Sequence, residues 1–182
     1  KTLWIGTQGG GLNNLREARV ITYTRKNGLS HNFANTLFED SMGGLWTGTV
    51  GHGIDCLKDG KVLNYNQKNG LSANSILSFA EYPKGWLWIG TRGGGASRLN
   101  LKTGKIDVFT DKNGLSDHTI RSLYVDRDNI FWAGTNNGGL YFFEDEHFHL
   151  KKQLNIRINT MFKDEGGSLW IGTWSGGLYR LK

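Results

Sequence analysis

Cysteine occurs once in this chain, at Cys56. A single cysteine excludes any disulfide framework within the chain. No apolar run approaches the ~20 residues that carry a helix across a bilayer, so direct membrane insertion of this segment is not expected. No Gly-x-y triplet runs along the sequence, which excludes collagen. No histidine-kinase motif occurs, so no kinase activity is expected of these residues. No signal peptide is read at Lys1-Thr2-Leu3-Trp4, and that abrupt start is expected to be the edge of a larger chain.

Glycine, by contrast, is abundant: 27 of 182 residues, against a usual share of ~7%. A disordered linker would lack aromatics, yet Phe, Trp and Tyr make up 12% of the chain and interleave with the glycines. A chain of this length can bury a substantial core, since ~150 residues bury roughly 70% of their surface.

A repeat organises both residue classes. Leu3-Trp4-Ile5-Gly6-Thr7 returns at Leu45–Thr49, Leu87–Thr91, Phe131–Thr135 and Leu169–Thr173, with the tryptophans 42, 42, 44 and 38 residues apart. A second string, Lys-Asn-Gly-Leu-Ser, occurs at Lys26–Ser30, Lys68–Ser72 and Lys112–Ser116 and is missing from the fourth unit. In the unit Thr119–Leu150, Ile120–Val125 reads as strand A and Phe131–Thr135 as strand B. Leu140–Phe143 reads as strand C and His147–Leu150 as strand D. Turn residues separate them. No window has helical periodicity. Four short antiparallel strands per ~40–45 residues is the period of a propeller blade.

The fold expected is therefore all-β: a partial β-propeller of four-stranded blades. The blades run over Phe33–Tyr65, Ile76–Phe109 and Thr119–Leu150. Incomplete blades lie at 1–24 and 158–181, within a single segment 1–182. Because these pieces do not close neatly, an arc of a larger propeller is expected. Truncated blades expose edges, which leaves open a homo-oligomer that completes the ring. Within strand B, Trp and Gly share one face, so the five repeated tryptophans are expected in the core between blades.

Leu-Trp-Ile-Gly-Thr, Gly176–Leu181 (Gly-Gly-Leu-Tyr-Arg-Leu) and Lys-Asn-Gly-Leu-Ser together resemble the two-component regulator propeller repeat, over essentially the whole chain. The resemblance implies large propellers, commonly seven-bladed and often in tandem. It implies the periplasmic sensor part of bacterial hybrid histidine kinases, many associated with sensing polysaccharide breakdown products. A periplasmic, ligand-sensing, non-enzymatic propeller segment that binds a small molecule or oligosaccharide is the function expected. A protein-interaction scaffold and a propeller lyase or glycosidase are the alternatives.

Propeller topology places the B–C turns and the D-to-A crossovers on one face. After the constant Gly-Thr the five turns carry Gln8, Val50, Arg92, Asn136 and Trp174, with His52, Asn137 and Ser175 interrupting the following glycines. Variable side chains on a fixed frame suit recognition. Gln8, His52, Arg92, Asn136 and Trp174 are therefore the candidate ligand-binding residues. The crossovers add His31, Asn32, Asn74, Asp117 and His118.

Other chemistries are discounted. Gly9-Gly10-Gly11 and Gly93-Gly94-Gly95 lead into strands, whereas a phosphate loop must lead into a helix. Asp126-x-Asp128 and Asp164-Glu165 lack a calcium ligand count, and His147 and His149 have no third ligand nearby. No cofactor, metal or catalytic residue is expected. The A–B turn carboxylates (Glu39, Asp40, Asp126, Asp128, Asp164, Glu165) fall on the face opposite the candidate site. Cys56 is read as incidental. The net charge is +6, but the basic residues are dispersed, so nucleic acid is not an expected partner. If Lys26, Lys68 and Lys112 share a rim, they would favour acidic ligands such as uronic-acid sugars.

Overall fold

The computed structural model describes residues 3–16 and 19–182. These residues form five antiparallel sheets. The first contains β1 (Leu3–Thr7), β2 (Gly11–Arg16) and β3 (Arg19–Tyr23). The second contains β4 (Ala34–Glu39), β5 (Leu45–Thr49), β6 (Ile54–Lys58) and β7 (Lys61–Tyr65). The third contains β8 (Ile76–Glu81), β9 (Trp86–Thr91), β10 (Ala96–Asn100) and β11 (Ile106–Phe109). The fourth contains β12 (Ile120–Val125), β13 (Phe131–Thr135), β14 (Gly139–Glu144) and β15 (His147–Gln153). The fifth contains β16 (Ile158–Lys163), β17 (Leu169–Thr173) and β18 (Leu178–Leu181).

Each sheet pairs in chain order, and β4, β8, β12 and β16 run side by side as the inner row. The architecture is the all-β propeller arc that the repeat implies. The outermost strand of the fourth sheet, β15, reaches Gln153, past the Leu150 expected from the sequence.

The strand B motif explains how the blades stack. Trp46, Trp88 and Trp132 are buried. Trp88 lies 4.7 Å from Phe109 of its own sheet and 4.9 Å, 4.8 Å and 5.5 Å from Phe131, Phe143 and Phe148 of the next. Aromatic pairs at these separations add to the burial of their area. The adjoining glycine leaves room for the next inner strand. A Cβ on Gly48 would sit 2.6 Å from Ile76 Cγ2, and one on Gly90 2.8 Å from the Ile120 carbonyl oxygen. Gly134 stands in the same relation to Ile158. Gly172, in the fifth sheet, meets only Thr160 of its own sheet.

The end sheets are less covered. Leu3, Ile5, Val20 and Ile21 are exposed on the first, and Phe162, Leu178 and Tyr179 on the fifth. Trp4 and Trp170 are only half-buried.

The indole nitrogens are anchored in the A–B turns. Trp46, Trp132 and Trp170 donate to the carboxylates of Asp40, Asp126 and Asp164 at 2.6, 2.9 and 2.7 Å. Trp88 donates instead to the Tyr82 carbonyl oxygen at 2.6 Å. The other oxygen of each Asp accepts backbone amides of its own turn, such as Gly44 N at 2.9 Å and Ile130 N at 2.9 Å. One acidic residue thus folds the turn and fixes the ring six positions later.

Cys56 pairs across from Trp46 and is buried. It is a core residue, and burial pushes its thiol up to about 11.

The Lys-Asn-Gly-Leu-Ser string forms three short 3-10 turns, Arg25–Asn27, Gln67–Asn69 and Asp111–Asn113. The Asn side chain at the third position of each turn accepts from the backbone N–H of the residue that precedes the turn. Gly28 closes the first turn at a φ of 99°, a conformation that glycine adopts at little cost. Leu29, Leu71 and Leu115 then plug the space between blades. Ser30, Ser72 and Ser116 reach strand C of the following sheet, at Asp55, Ser97 and Tyr141.

Candidate functional site: the rim of B–C turns

The rim is built by the threonine of Gly-Thr. Thr7, Thr49, Thr91 and Thr173 donate their hydroxyls to the carbonyls of Gly11, Gly53, Gly95 and Gly177 at 2.8–2.9 Å. Thr135 instead accepts from Gly139 N at 3.0 Å. Each hydroxyl closes its hairpin, so the next side chain leaves a fixed base.

The crossovers lock the turns from the other side. Gly11 N and Gly53 N donate to the Asn32 and Asn74 carbonyls at 2.8 Å, and Gly95 N donates to the His118 carbonyl at 2.7 Å. Arg92 N, Asn136 N and Trp174 N donate to the carbonyls of Ser75, Thr119 and Arg157, the residues that enter the inner strands. Turns and crossovers therefore do share one face.

The structure divides the five candidate residues into groups. Gln8 is exposed and bridges to Phe33; with Phe33, Asn35 and Val50 it lines a shallow pocket. His52 is exposed and stacks on His31, with ring centroids 4.2 Å apart. The His31 Nδ1 accepts from Phe33 N at 3.0 Å. Arg92, Asn136 and Trp174 gather around two arginines that the repeat pattern does not single out.

Arg121 is the bulged residue of inner strand β12, and its Nε donates to Asn136 Oδ1 at 3.4 Å. Arg157 lies with its guanidinium carbon 4.3 Å from the Trp174 ring centroid. Trp174 remains 66% exposed. Desolvation, then the charges of Arg157 and Arg92, lower the pKa of Arg121. Three positive charges from successive sheets thus converge at the inner end of the rim.

The remaining crossover residues are largely committed to structure. Asn32 and Asn74 side chains accept from Arg25 N and Gln67 N at 2.9 and 2.8 Å. Asp117 accepts from Thr119 N and Asn137 N at 2.9 and 2.6 Å. His118 lies 3.7 Å from Asp111. Lys26, Lys68 and Lys112 are exposed, but their turns lie over the outer strands: Gly28 faces Val62, Gly70 faces Ile106 and Gly114 faces Phe148. They ring the periphery, whereas the arginines stand beside the inner row.

On the opposite face, Asp40, Asp126 and Asp164 hold indoles and turn amides. Among the described residues no group of three or more His, Cys, Asp or Glu side chains is placed to hold a metal ion.

The two-component regulator propeller family matches at residues 28–51, 70–93, 114–137 and 152–175, together more than half of the chain. The chain belongs to the two-component regulator propeller family. The first three matched segments run from a crossover, and the fourth from the end of β15, through strands A and B to the B–C turn. The chain is similar to the extracellular domain of a hybrid two-component system from B. thetaiotaomicron, at 26% identity and a TM-score of 0.85; the match covers 100% of this chain and 25% of that one. The extracellular domain of a one-component system from the same organism matches at 23% identity and a TM-score of 0.80, covering 100% of this chain and 28% of that one. Virginiamycin B lyase from Staphylococcus aureus shares the fold at 18% identity and a TM-score of 0.74, with coverage of 100% and 66%. The chain thus spans about a quarter of the length of the signalling neighbours. No curated protein sequence matches it.

Proposed function

We propose that this chain is part of the periplasmic ligand-sensing propeller of a two-component signalling protein, and that its rim of B–C turns binds carbohydrate without catalysing a reaction. One observation carries the reading: Trp174 presents a largely open aromatic face stacked on Arg157, next to the Arg121–Asn136 pair of the adjoining sheet, and the turn residues Arg92, Asn136 and Trp174 have their backbones hydrogen-bonded in place. A flat apolar ring next to convergent polar groups is the arrangement that a sugar needs, with one face for C–H groups and hydrogen bonds for hydroxyls. A rigid scaffold with variable turn residues supports recognition over mobility.

The enzyme alternative is disfavoured by the commitments of the carboxylates. Asp40, Asp126 and Asp164 spend both oxygens on indoles and turn amides. The lyase neighbour speaks for the fold alone. The exposed apolar faces of the first and fifth sheets suit further blades of the same propeller, or a second copy that completes the ring.

Thermal denaturation of the full chain against a panel of oligosaccharides tests the proposal. A saccharide that raises the melting temperature by mass action, with the effect lost in Trp174→Ala, supports it. A panel with no stabilising saccharide argues for the scaffold reading.

A further inference from the structure

The proposed rim leaves the class of saccharide open, and its arginines narrow it. Arg92, Arg121 and Arg157 come from three successive sheets, and among the described residues none of them has an ion-pair partner. A few other basic side chains of the same molecule are paired: Arg98 with Asp107 and Glu146 at 3.1 and 2.8 Å, and Lys163 with Asp126 at 3.1 Å and with Asp128. The rim carboxylate Asp117 is occupied by two backbone amides. Among the described residues, the one polar side-chain contact of the Arg121 guanidinium is a long bond to an uncharged amide oxygen.

Crowding three like charges without a counter-charge is unfavourable for the free protein; burial first, and then the charges of Arg157 and Arg92, depress the pKa of Arg121. An anion at that point removes the repulsion on binding. Guanidinium groups match planar or tetrahedral oxyanions with paired donors. Trp174 stands at the same place, stacked on Arg157 through one side of its ring and two-thirds exposed.

We propose that Arg92, Arg121 and Arg157, with Trp174 as platform, form a site for a saccharide that carries a carboxylate or sulfate group. The proposal rests on the rim being the ligand face, and it moves the acidic preference from the peripheral lysines to these inner arginines.

Calorimetric titration of the full chain tests it with four probes: tetragalacturonate, a sulfated heparin-derived tetrasaccharide, neutral cellotetraose and sodium sulfate. An acidic tetrasaccharide should bind at least tenfold more tightly than cellotetraose, and its affinity should fall as sodium chloride is raised. Arg121→Gln and Arg157→Gln should each weaken it by roughly tenfold to a hundredfold, the range for a charged hydrogen bond. Lys68→Gln on the peripheral turn should not. Tighter binding of tetragalacturonate assigns recognition to carboxylate, and tighter binding of the heparin-derived probe, which carries uronate carboxylates as well as sulfates, assigns a contribution from sulfate. The salt dependence of the unmodified chain decides the matter even if a variant folds poorly: acidic binding that is indifferent to salt overturns the proposal. Equal binding of neutral and acidic tetrasaccharides, or acidic binding untouched by both arginine substitutions, also overturns it and leaves the carbohydrate reading standing. Binding of sulfate alone refutes the saccharide. Binding of no probe refutes both readings.

Discussion

Trp132 donates its indole N–H to Asp126 Oδ2 at 2.9 Å, and the same oxygen accepts Lys163 Nζ from the next sheet at 3.1 Å. The carboxylate is buried. It therefore joins three tasks: folding the A–B turn, fixing the core indole and tying one blade to the next. Burial works to raise its pKa, but the bonds from Trp132, the Ile130 amide and Lys163 outweigh burial and hold it below the usual value.

Asp126→Asn should therefore destabilise the fold at neutral pH by about 1.5–3 kcal/mol, the range for hydrogen bonds to charged groups. The sign with pH is fixed by the depressed pKa. The contribution is full above the unfolded carboxylate value of about 3.9 and fades as pH falls through the lower folded value. Melting curves of the two proteins from pH 2 to pH 7 should converge at the acid end. A constant gap across that range would show that Asp126 does not act through its charge.

Gly90→Ala should destabilise by about 1–3 kcal/mol, as overpacking does. The added methyl would press on Ser78 and stand 2.8 Å from the Ile120 carbonyl oxygen of the next blade. Gly166→Ala is the control, since its methyl would meet nothing closer than Asp164 Oδ1 at 3.4 Å. Denaturant midpoints of the pair should separate. Equal midpoints would mean that the blades do not pack as closely as described.

Thr47 occupies the position filled by Ile5, Ile89 and Ile171 in other units, and its buried hydroxyl has no hydrogen-bond partner. Thr47→Val keeps the shape and removes the unpaired group. It should stabilise by about 1 kcal/mol, read as a higher denaturant midpoint with an unchanged slope.

Leu115 is fully buried between blades. Leu115→Ala should cost about 2–5 kcal/mol. Hydrogen exchange should show the loss spreading to amides of both the third and the fourth sheets, because the side chain belongs to the space between them. Protection lost in one sheet alone would contradict that placement.

The blade period, the strand B motif and the tryptophan core were legible because each recurs with fixed internal order. The role of the A–B aspartates was legible in principle, since Asp40, Asp126 and Asp164 each stand six residues before a strand B tryptophan. Their value as turn formers masks the indole bond. The 3-10 turns span three residues, too few for any periodicity. Arg121 and Arg157 are hidden for a different reason. Arg121 sits at a bulge, where alternation stops reporting direction, and Arg157 sits in the one crossover without the Lys-Asn-Gly-Leu-Ser string. Their meeting with Arg92 and Trp174 is a product of blade stacking, which no single repeat encodes. Cys56 stands where other units carry Asn14, Arg98, Phe142 and Arg180; three of the four are polar, which masks a core position, although Asn14 is buried there too.

If the rim is the ligand face, the tryptophan indoles report on it directly. Trp46, Trp88, Trp132 and Trp170 are anchored by internal hydrogen bonds, whereas Trp174 is exposed on the rim. In a proton–nitrogen correlation spectrum of the chain titrated with tetragalacturonate or cellotetraose, the Trp174 indole and the amides of Arg92 and Asn136 should shift, while the four anchored indoles stay fixed. Shifts confined to the A–B turns around Asp40, Asp126 and Asp164 would place the ligand on the opposite face.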